Sequence, residues 1–311
     1  MNGLGLSRAY FLTVAAPAFD AAFPALTSRM AAGLVGNGSE CFGYDDEISM
    51  DHDWGIDFFI WLAGQDRESI EPVRQWKREL FAQHPPPYPR TQSAYGASIG
   101  VMTAGDFYTQ LIGYPEGPQT IPQWRLVPEE NLAMSVNGAV FTDRGGEFSH
   151  TRSYLLQYYP EDLRKKKLAA KCMAIAQTGQ YNFNRCVRRQ DWVTVRTVLA
   201  RFTDNVISMV FLLNKVFRPY YKWAFRRLAE LPILGAPCAE LLRRMALTGG
   251  FDSQSVAALE SAIGEICAAM IKELQNQRLA SSDDWFMTTQ GEEIQRTIAD
   301  DWLRSLPAQY E

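Results

Sequence analysis

Cysteine pairs are missing from this chain. Its five cysteines, Cys41, Cys172, Cys186, Cys238 and Cys267, are scattered and odd in number, and none stands in a Cys-x-x-Cys pair. That spacing excludes a zinc ribbon and a disulfide framework, so they read as free thiols in a reducing cytoplasm. Long apolar runs are missing too. The strongest, residues 206–213, is far too short to span a bilayer, and the N-terminus lacks a basic region followed by an uninterrupted apolar core. The expectation is a cytoplasmic protein with no membrane partner. Nor is there an excess of positive charge: 31 Lys and Arg stand against 35 Asp and Glu, a net charge of −4. This weighs against a protein that coats long nucleic acid through its overall field and leaves room only for a local basic patch. Internal repeats and low-complexity tracts are also absent. What remains is an ordinary globular composition, 47% hydrophobic and 21% charged over 311 residues, enough for two modest domains.

Residues 38–54 organise the rest. Gly38 and Ser39 follow the short apolar run 31–35, and a loop of eleven residues then leads to Asp51 and Asp53, which open a second apolar run, 54–62. Read as one strand, that run puts Asp51 and Asp53 on a single face with Cα atoms about 6 to 7 Å apart. Two hard divalent cations roughly 3.5 to 4 Å apart fit between such carboxylates and a triphosphate. Glycine lets backbone N–H groups approach the phosphates, and the serine hydroxyl adds a donor. Gly33, Gly36, Gly38 and Gly43 crowd this short region, as expected where backbone passes close to itself or to a ligand.

The pattern Gly38-Ser39, eleven residues, Asp51-His52-Asp53 is similar to the signature of the polymerase-β-type nucleotidyltransferase superfamily. There the Gly-Ser holds the nucleotide triphosphate and the paired acids bind Mg²⁺. The phrases Gly-Ser-Glu-Cys-Phe-Gly-Tyr-Asp-Asp-Glu-Ile-Ser from Gly38, Tyr-Tyr-Pro-Glu-Asp from Tyr158, Gly-Gln-Tyr-Asn from Gly179 and Pro-Tyr-Tyr-Lys-Trp from Pro219 resemble an uncharacterised bacterial family within it. This resemblance covers most of the chain and implies a chemistry without naming an acceptor. The superfamily usually places a third carboxylate on a neighbouring strand, where this chain has Met102. Asp106, Glu130 and Asp143 are the substitutes on offer, with Asp143 ahead because Asp106 resembles a helix N-cap. His52, with its side chain on the opposite face from the acids, reads as packed or hydrogen-bonded rather than as the base.

Periodicity divides the chain near residue 150. Before it come an amphipathic helix over 7–23 with Tyr10, Phe11, Val14 and Phe19 inward, strands at 31–35 and 54–62, and a charged helix over 67–83. A third strand within 95–104, a short helix from Asp106, a loop over 113–128, a helix over 131–136 and a strand over 138–142 follow. Ile56, Phe58 and Ile60 face the core, and Asp57 lies on the acidic face as a hydrogen-bond acceptor. From residue 151 the period is helical: a start at Pro160 and a stop at Gly179, a long helix from Asp191 to Pro219, then helices over 220–231, 238–247, 253–277 and 292–306. The expected fold class is α+β, a nucleotidyltransferase-type mixed sheet with flanking helices in 1–150 and a helical bundle in 151–311 that closes the active-site crevice.

In the bundle, Arg164, Lys167 and Lys171 share a helix face, and of Lys165, Lys166 and Lys167 only Lys167 borders the buried side, suited to reach phosphate or else to stay solvated. Tyr181, Asn182 and Arg185 either contact a base or cap the bundle while Arg185 pairs with an acid. Asn214 and Lys222 either line the acceptor side or pack a helix end. The chemistry implied is Mg²⁺-dependent transfer of a nucleoside monophosphate, AMP from ATP or its counterpart from another nucleoside triphosphate, to an unknown small molecule or protein hydroxyl. The rival, drawn from the missing third acid, is a non-catalytic nucleotide-binding or interaction protein.

Overall fold

The computed structural model describes residues 2–91 and 99–311, and the chain divides into two compact units, to Tyr158 and from Tyr159. The first unit is α+β. Helix α1 (Gly3–Tyr10) runs through a π-helical turn, Phe11–Ala15, into α2 (Ala16–Ala22), with Pro17 directly after the π-helical turn. Strand β1 (Ala31–Leu34) pairs antiparallel with β2 (Phe59–Leu62) and with β4 (Ala139–Asp143), and β3 (Val101–Thr103) pairs parallel with β2, giving the order β3-β2-β1-β4. Part of the third strand expected over 95–104 lies outside the described residues.

One face of this sheet carries the core. Tyr10, Phe11, Ala15 and Phe19 of the first helices pack with Ala32, Leu34, Ile56, Phe58, Ile60 and Leu62, and α3 (Ile70–Gln83) adds Val73 and Leu80. Each buried Val, Leu, Ile or Phe among them contributes about 1.5 to 3 kcal/mol. Lys77 of α3 enters the same layer because its ammonium is met on several sides: it donates to Asp57 Oδ1 and to the Phe58 carbonyl, both at 2.6 Å, and sits 4.7 Å over the Phe58 ring. The other face was expected to be the site face; it is aromatic and covered. Phe59 and Trp61 lie against Phe107 of α4 (Ala104–Ile112), and Trp61 stacks at 3.7 Å on Phe148 of α7 (Glu147–Leu156).

Two further corrections concern connections. The stretch 113–128, expected to be a loop, holds helix α5 (Ile121–Leu126), whose start is fixed by a reciprocal cap between Thr120 and Gln123; α6 (Glu129–Val136) follows. Gly179 does not stop a helix. In the second unit α8 (Glu161–Ile175) passes through the π-helical Ala176–Asn182 into α9 (Phe183–Arg188). A Cβ on Gly179 would come within 2.5 Å of the Phe202 ring, so glycine there serves close helix packing.

The second unit is helical throughout, with α10 (Trp192–Asn214), α11 (Tyr221–Ala229), α12 (Gly235–Leu247), α13 (Ser253–Asn276), α14 (Met287–Arg296) and α15 (Asp301–Ser305). Helix α10 ends at Lys215 in a left-handed turn, before Pro219, and the single helix expected over 292–306 is two. Among the described residues α13 alone has the length and apolarity of a membrane span. Leu259, Ile263, Ile266, Met270 and Leu274 are buried along it, as in the core helix of a bundle. All five cysteines are buried free thiols.

Candidate functional site

Strand β1 delivers the chain into the 36–39 turn, which is held from behind. The Asn137 side chain accepts from Gly36 N and donates to Gly36 O, both at 2.8 Å, and Gly138 N donates to the Cys41 carbonyl at 2.7 Å. Gly38 has φ +114°, and a Cβ there would fall 2.6 Å from Glu40 Oε2. Only glycine satisfies both conditions. Ser39 then starts a short 3₁₀ turn, Glu40–Phe42, which ends at Gly43.

Beneath the turn lies an ion pair that sequence reasoning missed. Glu40 is fully buried and its Oε1 meets the Arg90 guanidinium, while its Oε2 has no hydrogen-bond donor among the described residues. Burial raises the Glu40 carboxyl above the usual carboxylate range, partly offset by Arg90. Arg90 arrives because residues 88–91 run beside 54–56, with Ile56 N donating to the Tyr88 carbonyl at 2.7 Å and Thr91 N to the Trp54 carbonyl at 3.0 Å. Asp45 accepts from Gly3 N at 2.7 Å and from Trp54 Nε1 at 3.1 Å, tying the first turn of α1 to this loop. Arg152 was missed as well. Its guanidinium donates to the Asn137 carbonyl at 2.8 Å, has no carboxylate partner among the described residues, and burial lowers its pKa. Nothing in the local sequence around Arg90 or Arg152 marks either one, since their partners lie far away in the chain.

Asp51 and Asp53 are not on a strand. Pairing of β2 begins only at Phe59, and Asp51 and Asp53 occupy a bend. Aspartate is a poor strand former, and Asp53 takes φ +52°, a left-handed conformation that aspartate tolerates. The shared-face geometry expected of them is therefore absent. Asp51 remains exposed, and its carboxyl is held below the usual range chiefly by a hydrogen bond from His52 Nδ1 at 2.8 Å.

Register decides which loops share an end of the sheet. Leu34, closing β1, pairs with Ala139, opening β4, and Gly33 pairs with Phe59, opening β2. The Gly38-Ser39 turn and the segment from Asp51 into β2 therefore leave the sheet at one end. Asp143 pairs with Ala31, and Thr103, just before α4, pairs with Leu62. Asp143 and Asp106 thus lie at the opposite end, roughly 10 Å away along strands of this length. Both are engaged there: Asp143 accepts from Gly146 N and Ser149 N at 2.7 Å, and Asp106 pairs with Arg67 at 2.7 Å, which lowers its pKa. Thr103, not Asp106, caps α4. Neither acid supplies a third carboxylate beside Asp51 and Asp53. Among the described residues no three His, Cys, Asp or Glu side chains gather as a metal-holding group.

In the second unit, Lys166 rather than Lys167 is the fully buried lysine, donating to Gln295 Oε1 and to the Leu306 and Pro307 carbonyls at 2.7 to 3.1 Å. Arg164 turns inward to the Leu212 carbonyl and Gln277, so it does not share a solvent face with Lys167 and Lys171. Those two meet Glu311, and although burial works against it the Glu311 carboxyl is lowered by their charges. Lys167 also lies 5.2 Å over the Tyr159 ring. Tyr181 is 52% exposed with Arg185 stacked 4.5 Å above it, and Asn182 adjoins them in the chain. The Asn214 amide is consumed by Val210 O, Ile233 O and Ile233 N, which makes it a helix-end pin rather than a free ligand group. Lys222 lies 5.0 Å over Trp223.

A family model described as a domain of unknown function (DUF4037) matches residues 124–224, a stretch that includes Arg152 and Lys167 and excludes the Gly38-Ser39 turn. No curated protein and no solved structure matches the chain.

Proposed function

We propose that the protein is a cytosolic Mg²⁺-dependent nucleotidyltransferase of the polymerase-β type, which moves a nucleoside monophosphate, AMP from ATP, to a small-molecule or protein acceptor. The observation that carries the reading is the pairing of two features at one end of the mixed sheet: a Gly38-Ser39 turn that excludes a Cβ, and, after eleven intervening residues, an acidic bend with Asp51 exposed. The residues fit a hard cation in kind. Carboxylate oxygens suit Mg²⁺, and Asp51 is exposed, with Oδ1 bonded to His52 Nδ1. Asp51 and Asp53 would hold the ion, which supplies charge neutralisation on the triphosphate when bound.

The chain's own groups account for the rest of binding. Gly38 leaves the turn's backbone open to phosphate oxygens, and Ser39 adds a hydroxyl donor. Arg152, desolvated and without an acidic partner among the described residues, supplies positive potential behind the turn through its bond to the Asn137 carbonyl. Lys167 and the Tyr181–Arg185 stack are the second unit's candidates for nucleotide contact. The placement of Asp106 and Asp143 at the far end of the sheet favours a second reading, nucleotide binding without turnover.

Calorimetry with ATP and Mg²⁺ on the wild type, Asp51→Asn and Asp53→Asn tests the first step. Asparagine tolerates a left-handed backbone as aspartate does, so Asp53→Asn keeps the bend while removing the charge. Loss of Mg²⁺-ATP affinity in both variants with unchanged Tm supports the site; equal affinity in all three proteins removes it. Pyrophosphate release from ATP in a host lysate then separates transfer from mere binding.

A further inference from the structure

The second unit contains a pocket of about 540 Å³, open to solvent on one side and lined by α10, α11, α12 and Arg218, within the range of a small-ligand pocket. Its walls are apolar: Leu199 and Ile207 from α10, Phe225 from α11, Leu242 and Met245 from α12. Three arginines line it as well. Arg218 is occupied by Ser208 Oγ at 2.6 Å and by Asp204, and Arg243 by Glu240 at 2.8 Å. Arg196 is different. Among the described residues it has no carboxylate partner: it donates to the Gly249 carbonyl at 3.2 Å and stacks 4.6 Å from the Phe251 ring, which itself stacks on Trp192. Stacking fixes the plane of a guanidinium while leaving its edge free for a bidentate anion. The pocket therefore combines an apolar interior with one uncompensated, preoriented positive charge.

We propose that this cavity binds a single-chain amphipathic anion, an alkyl or acyl chain ending in a carboxylate or phosphate, with the chain against Leu199, Phe225 and Met245 and the anionic head on Arg196. A neutral ligand would leave Arg196 unused, and a cation would be repelled by it. The pocket is lined by second-unit residues alone, and the proposal stands whether or not nucleotidyl transfer does.

Titration calorimetry of the full chain with dodecanoate, dodecyl phosphate and dodecyltrimethylammonium, each below its aggregation concentration, tests the assignment. One-to-one binding of an anion, with the cation at least tenfold weaker, is expected. Arg196→Gln, a change at an exposed position, should weaken the anion roughly tenfold. Ala200→Trp, at an exposed position of the wall, should block binding with Tm unchanged. Preference for the phosphate over the carboxylate identifies a lysophospholipid-type ligand, and the reverse a fatty acid; either supports the site. Equal binding of anion and cation, unaltered affinity in both variants, or no saturable binding overturns it. So does a dimer in sedimentation that Ala200→Trp dissociates, since the cavity would then be covered by a second copy.

Discussion

The Arg90 guanidinium closes on the Glu40 carboxylate directly beneath Gly38, and neither side chain has more than a trace of solvent exposure. Removing one partner leaves the other as a buried unpaired charge, so Arg90→Ala should destabilise the fold by about 3 to 5 kcal/mol. The double change Glu40→Met with Arg90→Met should restore much of that loss, as read by urea unfolding. The pH dependence has a definite sign. Folded Glu40 keeps its proton to higher pH than the unfolded chain does, because burial raises its pKa from the ordinary 4.5. Its contribution to stability is fully present below that value and is lost as pH rises through the folded pKa. Glu40→Gln should flatten this part of the stability–pH profile.

Gly38→Ala faces both a positive φ and the Glu40 carboxylate. A loss of about 1 to 3 kcal/mol is expected, together with loss of ATP affinity. Ser39→Ala should weaken ATP far less, because the backbone donors of the turn survive. Parallel calorimetry and thermal melts would detect the contrast, and wild-type ATP affinity in both variants would show that the turn does not contact phosphate.

Asp143 holds the start of α7 through two backbone N–H groups. Asp143→Ala should lower stability by about 1 kcal/mol, as loss of a helix cap does, and leave ATP binding and pyrophosphate release unchanged. Asp106→Ala should likewise leave turnover intact, since its partner is Arg67. Activity lost in either variant with binding retained would place a transition-state role at that end of the sheet after all.

Lys166 and Lys167 are neighbours with different tasks. Lys166→Ala strips a buried donor from the Leu306 and Pro307 carbonyls and should destabilise by about 1 to 3 kcal/mol. Lys167→Ala should keep the melting temperature and lower ATP affinity. If Lys167→Ala binds ATP like the wild type, the lysine serves only its contacts with Glu311 and Tyr159.

Where side chains repeat with the period of an element, the sequence by itself determined the outcome. Tyr10, Phe11 and Phe19, the alternation of Ile56, Phe58 and Ile60, and the cap at Asp191 all follow from local chemistry. The α+β composition of the first unit and the helical second unit follow from the same source. The Gly38-Ser39 segment was legible as a turn because glycine readily takes the positive φ found there. Tertiary structure alone decided the rest, for three physical reasons. Strand pairing, a long-range property, begins at Phe59 and leaves Asp51 and Asp53 in a bend. Register, set between β1 and β4, carries Asp143 to the far end of the sheet. Burial of charge depends on partners distant in the chain, which is why Glu40, Arg90, Arg152 and Lys166 could not be read from their neighbours.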